Sequence, residues 1–347
     1  MRSALLSMPN AVTFGEDSPV AWHYGDPLRE QRHLATTGAV VDRSDRDVVT
    51  VSGPDRLGWL HDITSQHLSA LAPGIGTELL VLSPNGHIEI HAMVQAGADT
   101  VWLDTEPGQG AALVDYLTKM RFFAQVDITD VTADWAVLTF TGPDELAEPD
   151  VLPVPNAQFS AGSLPARPSS QYSGADRPDG GFVRRTDALG VITVDRLVPR
   201  DTVGEVVASS GLPVAGAWAY ETLRIEALRP RVGVDTDHKT IPHELPELFR
   251  RAVHLEKGCY RGQETVARVH NLGKPPRRLV MLHLDGTDEQ PPVTDTPVLL
   301  GDRTVGRVGT AGRHHENGMV ALALLRRNVA DNPQSRLTVA GSAAAVA

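Results

Sequence analysis

The chain has 347 residues, of which 41% are hydrophobic and 22% are charged. This composition is close to the globular average and excludes a disordered chain, while the length allows two or three domains. No apolar run approaches the roughly 18 residues of a membrane span, which excludes an integral membrane protein. The net charge is −11, and without a long basic tract it argues against nucleic acid as the main partner.

Cys259 is the only cysteine, so an internal disulfide cannot form and the chain is not a disulfide-stapled secreted scaffold. The first twelve residues carry one positive charge and an apolar segment too short and broken for a signal-peptide core. All but four of the 32 basic residues are arginine, a usage typical of a GC-rich bacterial genome. We therefore expect a cytoplasmic bacterial protein.

Strands and helices interleave in the first half of the chain, after a polar stretch (residues 1–40) that predicts a docking arm or a part-ordered start. Gly53-Pro54 opens a predicted helix whose apolar residues recur at three- and four-residue spacing through Leu71. Pro84-Asn85-Gly86 predicts a hairpin turn. The other predicted elements are strands at 47–52, 78–83, 87–95 and 100–104 and a helix around 113–120. This pattern indicates an α+β fold with a mainly antiparallel sheet.

The second half begins with a proline-rich segment, residues 148–180, which predicts a long surface loop or linker. It can divide two domains or lie within one, since long excursions cost little closure entropy. Beyond it, the sequence predicts a strand at 191–194 and a helix around Trp218. Two further strands are predicted at 303–308 and 318–325. The residues from Arg278 onward therefore indicate a small all-β module.

The most unusual stretch surrounds the single cysteine and reads Lys-Gly-Cys-Tyr-Arg-Gly-Gln-Glu from Lys257 to Glu264. Glycines lie on both sides of Cys259, so the backbone there can take left-handed conformations and approach a ligand closely. Lys257 and Arg261 flank the thiol, and positive charge nearby favours the thiolate, which is the nucleophile and the metal ligand. The alternative is a buried, inert cysteine in an ordinary turn. The glycines and cations favour the reactive or ligand-contacting interpretation.

This stretch resembles the K-G-C-Y-x-G-Q-E signature of the YgfZ-type folate-binding proteins. These are relatives of the glycine-cleavage T-protein (GcvT, aminomethyltransferase) that are implicated in iron–sulfur protein maturation. The match is complete from Lys257 to Glu264, and weaker resemblance covers most of the chain. The resemblance implies a tetrahydrofolate-binding α+β body with ferredoxin-like units at residues 1–277, which includes the proline-rich loop. It further implies a small C-terminal β-barrel at residues 278–347 that closes one side of this body.

The resemblance also implies roles for the helix that contains Tyr220. In T-protein relatives an R-x-E-A segment lines the folate pocket, which implies that Glu226 hydrogen-bonds the pterin ring. Tyr220 matches an aromatic position that contacts folate, and Arg224 is implied to contact either the ligand's glutamate carboxylate or an internal acid. Leu228 stands where family members often carry glycine. Without the resemblance, this segment is typical of a core-packed helix with a solvated charged edge.

Within the cysteine motif, the resemblance implies that Cys259 acts as a thiolate in transient sulfur, cluster or one-carbon chemistry. Lys257 is implied to promote its ionisation. Tyr260, Gln263 and Glu264 are implied to shape the loop or to position the ligand, although each can be purely structural. With one cysteine per chain, a stable cluster would need other ligands, so permanent cluster binding is not expected.

The strand predicted at 87–95 places His87, Glu89 and His91 on one face. Two histidines and a carboxylate can bind a transition metal, but no fourth ligand is evident and the alternation favours a solvated strand face. By resemblance, this strand aligns with the place where T-proteins carry an acidic pair that includes the catalytic aspartate. Here those positions are Ile90 and His91, which argues against aminomethyl transfer by the T-protein mechanism.

The resemblance therefore implies a folate-binding accessory protein in iron–sulfur cluster assembly or repair. Its implied partners are folate and iron–sulfur client proteins or assembly factors, with neither nucleic acid nor a membrane. One alternative is a folate-dependent aminomethyltransferase or related one-carbon transferase, in which case the chain is an enzyme. Another is a folate-binding regulator without chemistry. All three share one fold, so the fold cannot separate them.

Overall fold

The computed structural model describes residues 1–142, 172–186, 189–286, 290–332 and 334–347. The α-helices within these ranges are α1 (Pro27–Arg32), α2 (Arg56–Ile63), α3 (Gly110–Lys119), α4 (Val203–Ser210), α5 (Ala217–Glu226), α6 (Pro246–Ala252), α7 (Gln263–Leu272) and α8 (Arg327–Ala330). Short 3₁₀ turns lie at Ala4–Ser7, Arg200–Thr202 and Pro242–Glu244, and a π-helical turn lies at His33–Thr37. The strands are β1 (Val12–Thr13), β2 (Ala21–His23), β3 (Ala39–Arg43), β4 (Asp47–Ser52), β5 (Gly76–Leu82), β6 (Ile88–Ala96), β7 (Thr100–Thr105), β8 (Asp127–Asp130), β9 (Trp135–Thr141), β10 (Gly174–Asp176), β11 (Phe182–Thr186), β12 (Thr193–Pro199), β13 (Val214–Ala215), β14 (Arg277–Leu284), β15 (Pro297–Leu300), β16 (Arg303–His314), β17 (Gly318–Arg326), β18 (Leu337–Val339) and β19 (Ser342–Val346).

Two sheets form the body of the molecule. The first has the order β5-β6-β7-β4-β8 and is antiparallel throughout, and α2 and α3 cover one face through side chains such as Leu60 and Leu113. The second has the order β10-β11-β12-β9-β3-β13, in which only β13 runs parallel to its neighbour. Helices α4 and α5 pack on the second sheet through Val206 and Leu223. Each sheet buries an apolar face under helices, which is the layered solution that such patterning requires.

The C-terminal strands close into a barrel with the order β14-β17-β16-β15-β18-β19. An apolar cluster joins this barrel to the first sheet: Leu82 of β5 and Ile225 of α5 pack with Leu279 and Leu322 of the barrel. Among the described strands of this module, closure leaves no unpaired edge. The predicted α+β class and the C-terminal β-barrel are confirmed.

Most predicted strands agree with the structure to within two residues, but the first helix differs from prediction. Of the two alternatives for residues 1–40, the structure contradicts the part-ordered start, because the segment contains β1, β2 and α1. The segment docks on the body, where Trp22 stacks on Trp218 of α5 at 5.8 Å. Helix α2 ends at Ile63 rather than continuing to Leu71, since Thr64 has an extended backbone and its hydroxyl bonds the Leu60 carbonyl. Of the predicted proline-rich loop, residues 148–171 lie outside the described residues, and the described end forms β10.

The cysteine motif packs on the turn between β5 and β6. Gly262 has a φ of +84°, and a Cβ built on it would lie 2.6 Å from the Ser83 carbonyl oxygen. A Cβ built on Gly86 would likewise lie 2.8 Å from the Cβ of Thr265. A Cβ on Gly258, by contrast, would have no atom within 4 Å. The close approach of the two backbones therefore requires glycine at 262 and 86 and not at 258.

No helix in the part of the chain that the structure describes is both long enough and apolar enough to cross a membrane.

We expect Gly262→Ala to lower the free energy of unfolding by about 1–3 kcal/mol, because the left-handed backbone and the contact with Ser83 both exclude a side chain. Gly258→Ala is the matched control and should change stability by less than about 0.5 kcal/mol. Urea unfolding followed by circular dichroism measures both. Equal effects of the two substitutions would show that the packing of the motif on the hairpin turn does not constrain Gly262.

Candidate functional site

The two sheets and α5 enclose a small charged cavity. Its inner part has a volume of about 40 Å³ and adjoins an outer cleft of about 220 Å³. Four residues line both parts: Arg43, Arg46, Glu106 and Tyr220. They come from the end of β3, the turn before β4, the end of β7 and α5, so the cavity lies where these elements meet.

A buried ion-pair network forms one wall of the cavity. The Arg46 guanidinium binds Asp104 at 2.8 Å and Glu106 at 2.9 Å. Arg231 binds the other carboxylate oxygen of Glu106 at 2.8 Å. Burial alone would raise the pKa of Glu106, but Arg46 and Arg231 hold it well below its usual value. The Glu106 carboxylate is therefore ionised and fixed.

A second buried carboxylate, Glu78 of β5, lies behind the inner cavity. It accepts hydrogen bonds from His91 Nε2 at 2.8 Å, from Arg229 at 2.8 Å and from the Tyr172 hydroxyl. Burial would raise the pKa of Glu78, whereas Arg229 and His91 lower it well below the usual value. The His91 ring and Arg229 line the inner cavity, so Glu78 positions both.

Helix α5 brings two of the predicted site residues to this cavity. Tyr220 lines both parts of it, and the Arg43 guanidinium lies 4.0 Å above its ring. Arg224 lines the inner part but is bound to internal acids, Glu221 at 2.5 Å and Asp235 at 2.9 Å. The resemblance implied that Arg224 contacts either the ligand's glutamate carboxylate or an internal acid, and the structure shows contacts with internal acids.

Glu226, at the end of α5, faces the barrel instead. It is exposed, and it lies 3.2 Å from His314 Nε2 and 3.4 Å from the Asn317 side-chain amide, next to the turn that joins β16 and β17. It is not among the described residues that line the cavity. Leu228 follows with a φ of +52°, the left-handed conformation that glycine favours, so this backbone is kept without glycine at a cost of about 1–2 kcal/mol.

The predicted catalytic pair lies away from the cavity walls, on the motif loop. Cys259 is exposed, while Lys257 is buried and donates hydrogen bonds to the carbonyls of His61 and Thr64 at the end of α2. Burial lowers the pKa of Lys257 to about 8, and Asp62 acts in the opposite direction. The observed contacts of the Lys257 ammonium are thus those of a helix C-cap.

The other motif residues shape the loop. The Tyr260 ring is buried in the apolar cluster between sheet and barrel and lies 4.8 Å below the Lys257 ammonium. Gln263 donates to the Lys257 carbonyl at 3.3 Å. Glu264 is exposed in the first turn of α7. None of these side chains is among the described residues that line the cavity.

The histidine-rich strand β6 does not form the solvated face that alternation favours. Glu89 is exposed and pairs with Arg261 at 3.1 Å, but His91 is buried against Glu78. Ile90 lies in the core under α2 and α3, whereas His91 lines the cavity. Among the described residues, no three His, Cys, Asp or Glu side chains are grouped in a way that could hold a metal ion.

The charged residues that line the cavity or support its wall were not predicted from the sequence: Arg43, Asp45, Arg46, Glu78, Asp104, Glu106, Arg184, Asp195 and Arg229. One signal was present for several of them. Glu78 and Asp104 each interrupt an apolar strand, and a charge inside a buried strand requires a partner. The identity of that partner depends on which strands pack together, which residue spacing does not reveal.

We expect Lys257→Met to lower the free energy of unfolding by about 1.5–3 kcal/mol, because it removes the charged donor from the carbonyls at the end of α2. Lys274→Met, at an exposed position, is the control and should have no measurable effect. Thermal and urea unfolding of the three proteins make the comparison. Unchanged stability of Lys257→Met would contradict the capping role.

Residues 9–148 match the family described as the GCVT N-terminal domain. The chain is 26% identical over 304 residues to a chloroplastic protein of Arabidopsis thaliana named as a candidate transferase, covering 84% of this chain and 66% of the relative, just under two thirds of its length. It is 25% identical over 331 residues to an aminomethyltransferase of Moorella thermoacetica, covering 87% of this chain and 82% of the relative.

The fold matches the crystal structure of the glycine cleavage system aminomethyltransferase T from Bartonella henselae with a TM-score of 0.79 and 19% identity. The match covers 99% of this chain and 94% of that chain. The predicted T-protein-like fold is thereby confirmed, while the narrower YgfZ-type assignment stays a prediction. Residues 9–148 are thus similar to the GCVT N-terminal domain, and the chain has the fold of the aminomethyltransferase T structure.

Proposed function

We propose that the chain binds tetrahydrofolate or a derivative in the central cavity. The observation that carries this proposal is a pair of guanidinium groups on the cavity wall with unused donors. Among the described residues, Arg229 Nη1 is buried without a hydrogen-bond partner and the Arg43 side chain makes no hydrogen bond or close ion pair. The Arg43 guanidinium contacts the Tyr220 ring, and its charge acts on Asp45 and Glu106 nearby. A buried donor without a partner is costly, so a bound acceptor would stabilise it.

The chemistry of the wall fits a folate. Folate offers carbonyl and carboxylate oxygens as acceptors for Arg229 and Arg43, and a flat pterin ring that an aromatic side chain such as Tyr220 can contact. When bound, tetrahydrofolate supplies a carrier for one-carbon units. The chain's own residues then bind and orient it: Glu78 holds Arg229, and Tyr220 holds Arg43.

We further propose that the folate-bound protein serves as an accessory factor in iron–sulfur cluster assembly or repair, with Cys259 as the residue that meets the client. Two observations support this role. The K-G-C-Y-x-G-Q-E resemblance is complete from Lys257 to Glu264, and Cys259 is exposed on a loop anchored by Lys257 and Gly262. An exposed thiol can reach a protein-bound cluster, whose other ligands the client supplies.

A folate-dependent one-carbon transferase is the second candidate. Relatives named aminomethyltransferase favour it, and so does the presence of carboxylates on the cavity wall, among them Asp45 and Glu106. The positions that resemble the acidic pair of T-proteins are Ile90 and His91, and the first of these lies in the apolar core. A transferase reaction would therefore need an acid from elsewhere on the wall.

Folate binding is tested by titrating the chain with tetrahydrofolate in anaerobic buffer and following its tryptophan fluorescence. We expect Arg43→Met to weaken binding about tenfold, because it removes a charge-assisted contact of roughly 1.5 kcal/mol. Arg268→Met, exposed on α7, is the matched control and should bind as the wild type does. Absence of tetrahydrofolate binding by the wild type would overturn the proposal.

The accessory role is tested in a deletion strain by measuring iron–sulfur enzyme activity, such as that of a tRNA-thiolating radical enzyme. We expect the wild type to restore activity and Cys259→Ala at matched protein level to fail, because the thiol is the proposed contact with the client. Cys259→Ala should still bind tetrahydrofolate, since Cys259 lies outside the described cavity lining. Equal rescue would make the thiol dispensable, and rescue by neither protein would favour the transferase.

A further inference from the structure

Asp45 occupies a distinctive place on the cavity wall. It lies in the turn between β3 and β4, closed by the hydrogen bond from the Arg46 amide to the Arg43 carbonyl at 3.1 Å, and it lines the outer cleft. The cleft shares Tyr220 and three other lining residues with the inner cavity, so the two lie side by side. A carboxyl group at this position can contact a ligand that extends from the inner cavity outward.

The other carboxylates that line this cleft have partners. Glu106 is bound by Arg46 and Arg231, and Glu221 is bound by Arg224 and lies 3.6 Å from Arg231. The third, Asp42, accepts hydrogen bonds from the Ser3 hydroxyl and from the Ser44 amide. Asp45 has no hydrogen bond or ion pair to any residue that the structure describes. It is thus the carboxyl group of this wall that is left for a ligand.

Charged groups of both signs surround Asp45. Burial raises its pKa to about 6; Arg43, Arg231 and Arg46 oppose this, and Glu106 adds to it. From α5, Tyr220 and Glu221 also face the cleft, and Asp42 faces it from β3. The protonated and ionised forms of Asp45 are therefore both well populated near pH 6, and a pKa close to the working pH favours proton exchange.

We propose that Asp45 is a proton-exchanging residue of the central cavity, the carboxyl group that gives a proton to, or takes one from, an ionisable nitrogen of the bound ligand. The step moves one proton from the carboxyl oxygen to the lone pair of the nitrogen, which becomes cationic as Asp45 becomes anionic. No other bond changes. The inference rests on the proposed binding of a folate, a ligand class with basic nitrogens. Asp45 supplies a carboxyl group, which Ile90 and His91 of β6 lack.

The first test needs no ligand. In protein labelled with ¹³C at aspartate carboxyl groups, we expect one resonance to titrate with a midpoint near pH 6, and Asp45→Asn should remove it. Asp127→Asn, at an exposed position on β8, is the control and should leave that resonance in place. A midpoint for Asp45 near pH 4, the ordinary value for aspartate, would overturn the proposal.

The second test counts protons taken up when tetrahydrofolate binds, by calorimetry in buffers of different ionisation enthalpy. Between pH 6.5 and 7.5 the free Asp45 is mostly ionised, whereas in the complex Asp45 and the ligand nitrogen share one proton. The wild type should therefore take up about one proton for each tetrahydrofolate bound. Asp45→Asn should bind without that uptake. Equal uptake by both proteins would show that another group exchanges the proton.

The two tests separate the failure of this inference from that of the proposed function. If tetrahydrofolate does not bind the wild type, the folate proposal is wrong, and with it the ligand assigned to Asp45. If it binds but the Asp45 resonance titrates near pH 4, the folate proposal stands and Asp45 is not the proton-exchanging residue. Circular dichroism of Asp45→Asn confirms that the shape-conserving substitution leaves the fold intact.

Discussion

The ion pairs of Arg184 hold the two sheets of the body in one arrangement. The Arg184 side chain, on β11, is fully buried and binds Asp104 of the first sheet and Asp195 of its own sheet, each at 2.9 Å. Arg46 binds the same Asp104 from the turn before β4. A buried charge is tolerated only with its partners in place, and removing one partner typically costs about 3–5 kcal/mol. Any shift of one sheet against the other would break this network, so the cavity between them has a fixed wall.

The same constraint explains why the predicted site residues separate into two groups. Tyr220 and Arg224 belong to α5, which packs against the sheets and therefore borders the cavity. Cys259 and Lys257 belong to a loop held by the end of α2 and by the β5–β6 turn, outside the described cavity lining. A motif that is continuous in sequence and a pocket built from distant strands thus need not coincide. The fold offers an interior for a small molecule and a separate surface for a larger partner.

Local signals in the sequence predicted most of the strands and the α+β class, whereas the T-protein-like architecture came from the resemblance. Alternation along 47–52 and 100–104 located β4 and β7, and Pro84-Asn85-Gly86 located the hairpin turn. The helix after Gly53 was predicted too long because it ends at Ile63, and the Lys257 side chain that caps this end comes from nearly two hundred residues away along the chain. The cavity could not be predicted from spacing at all, since Arg46, Glu106 and Arg231 meet only through tertiary packing. The resemblance implied site residues on α5, but it did not predict that Glu226 faces the barrel, which depends on how α5 packs.

The two anchors of the motif loop bear on the thermodynamics of its encounters. Lys257 fixes one end of the loop and Gly262 the other, which leaves Cys259 exposed between two immobile points. A flexible loop would lose conformational entropy each time a partner ordered it, a cost of about 1–2 kcal/mol for every residue fixed. Here that ordering is already part of folding, so a partner meets a thiol in a defined place. A partner that contacts Cys259 therefore loses little binding free energy to the ordering of this loop.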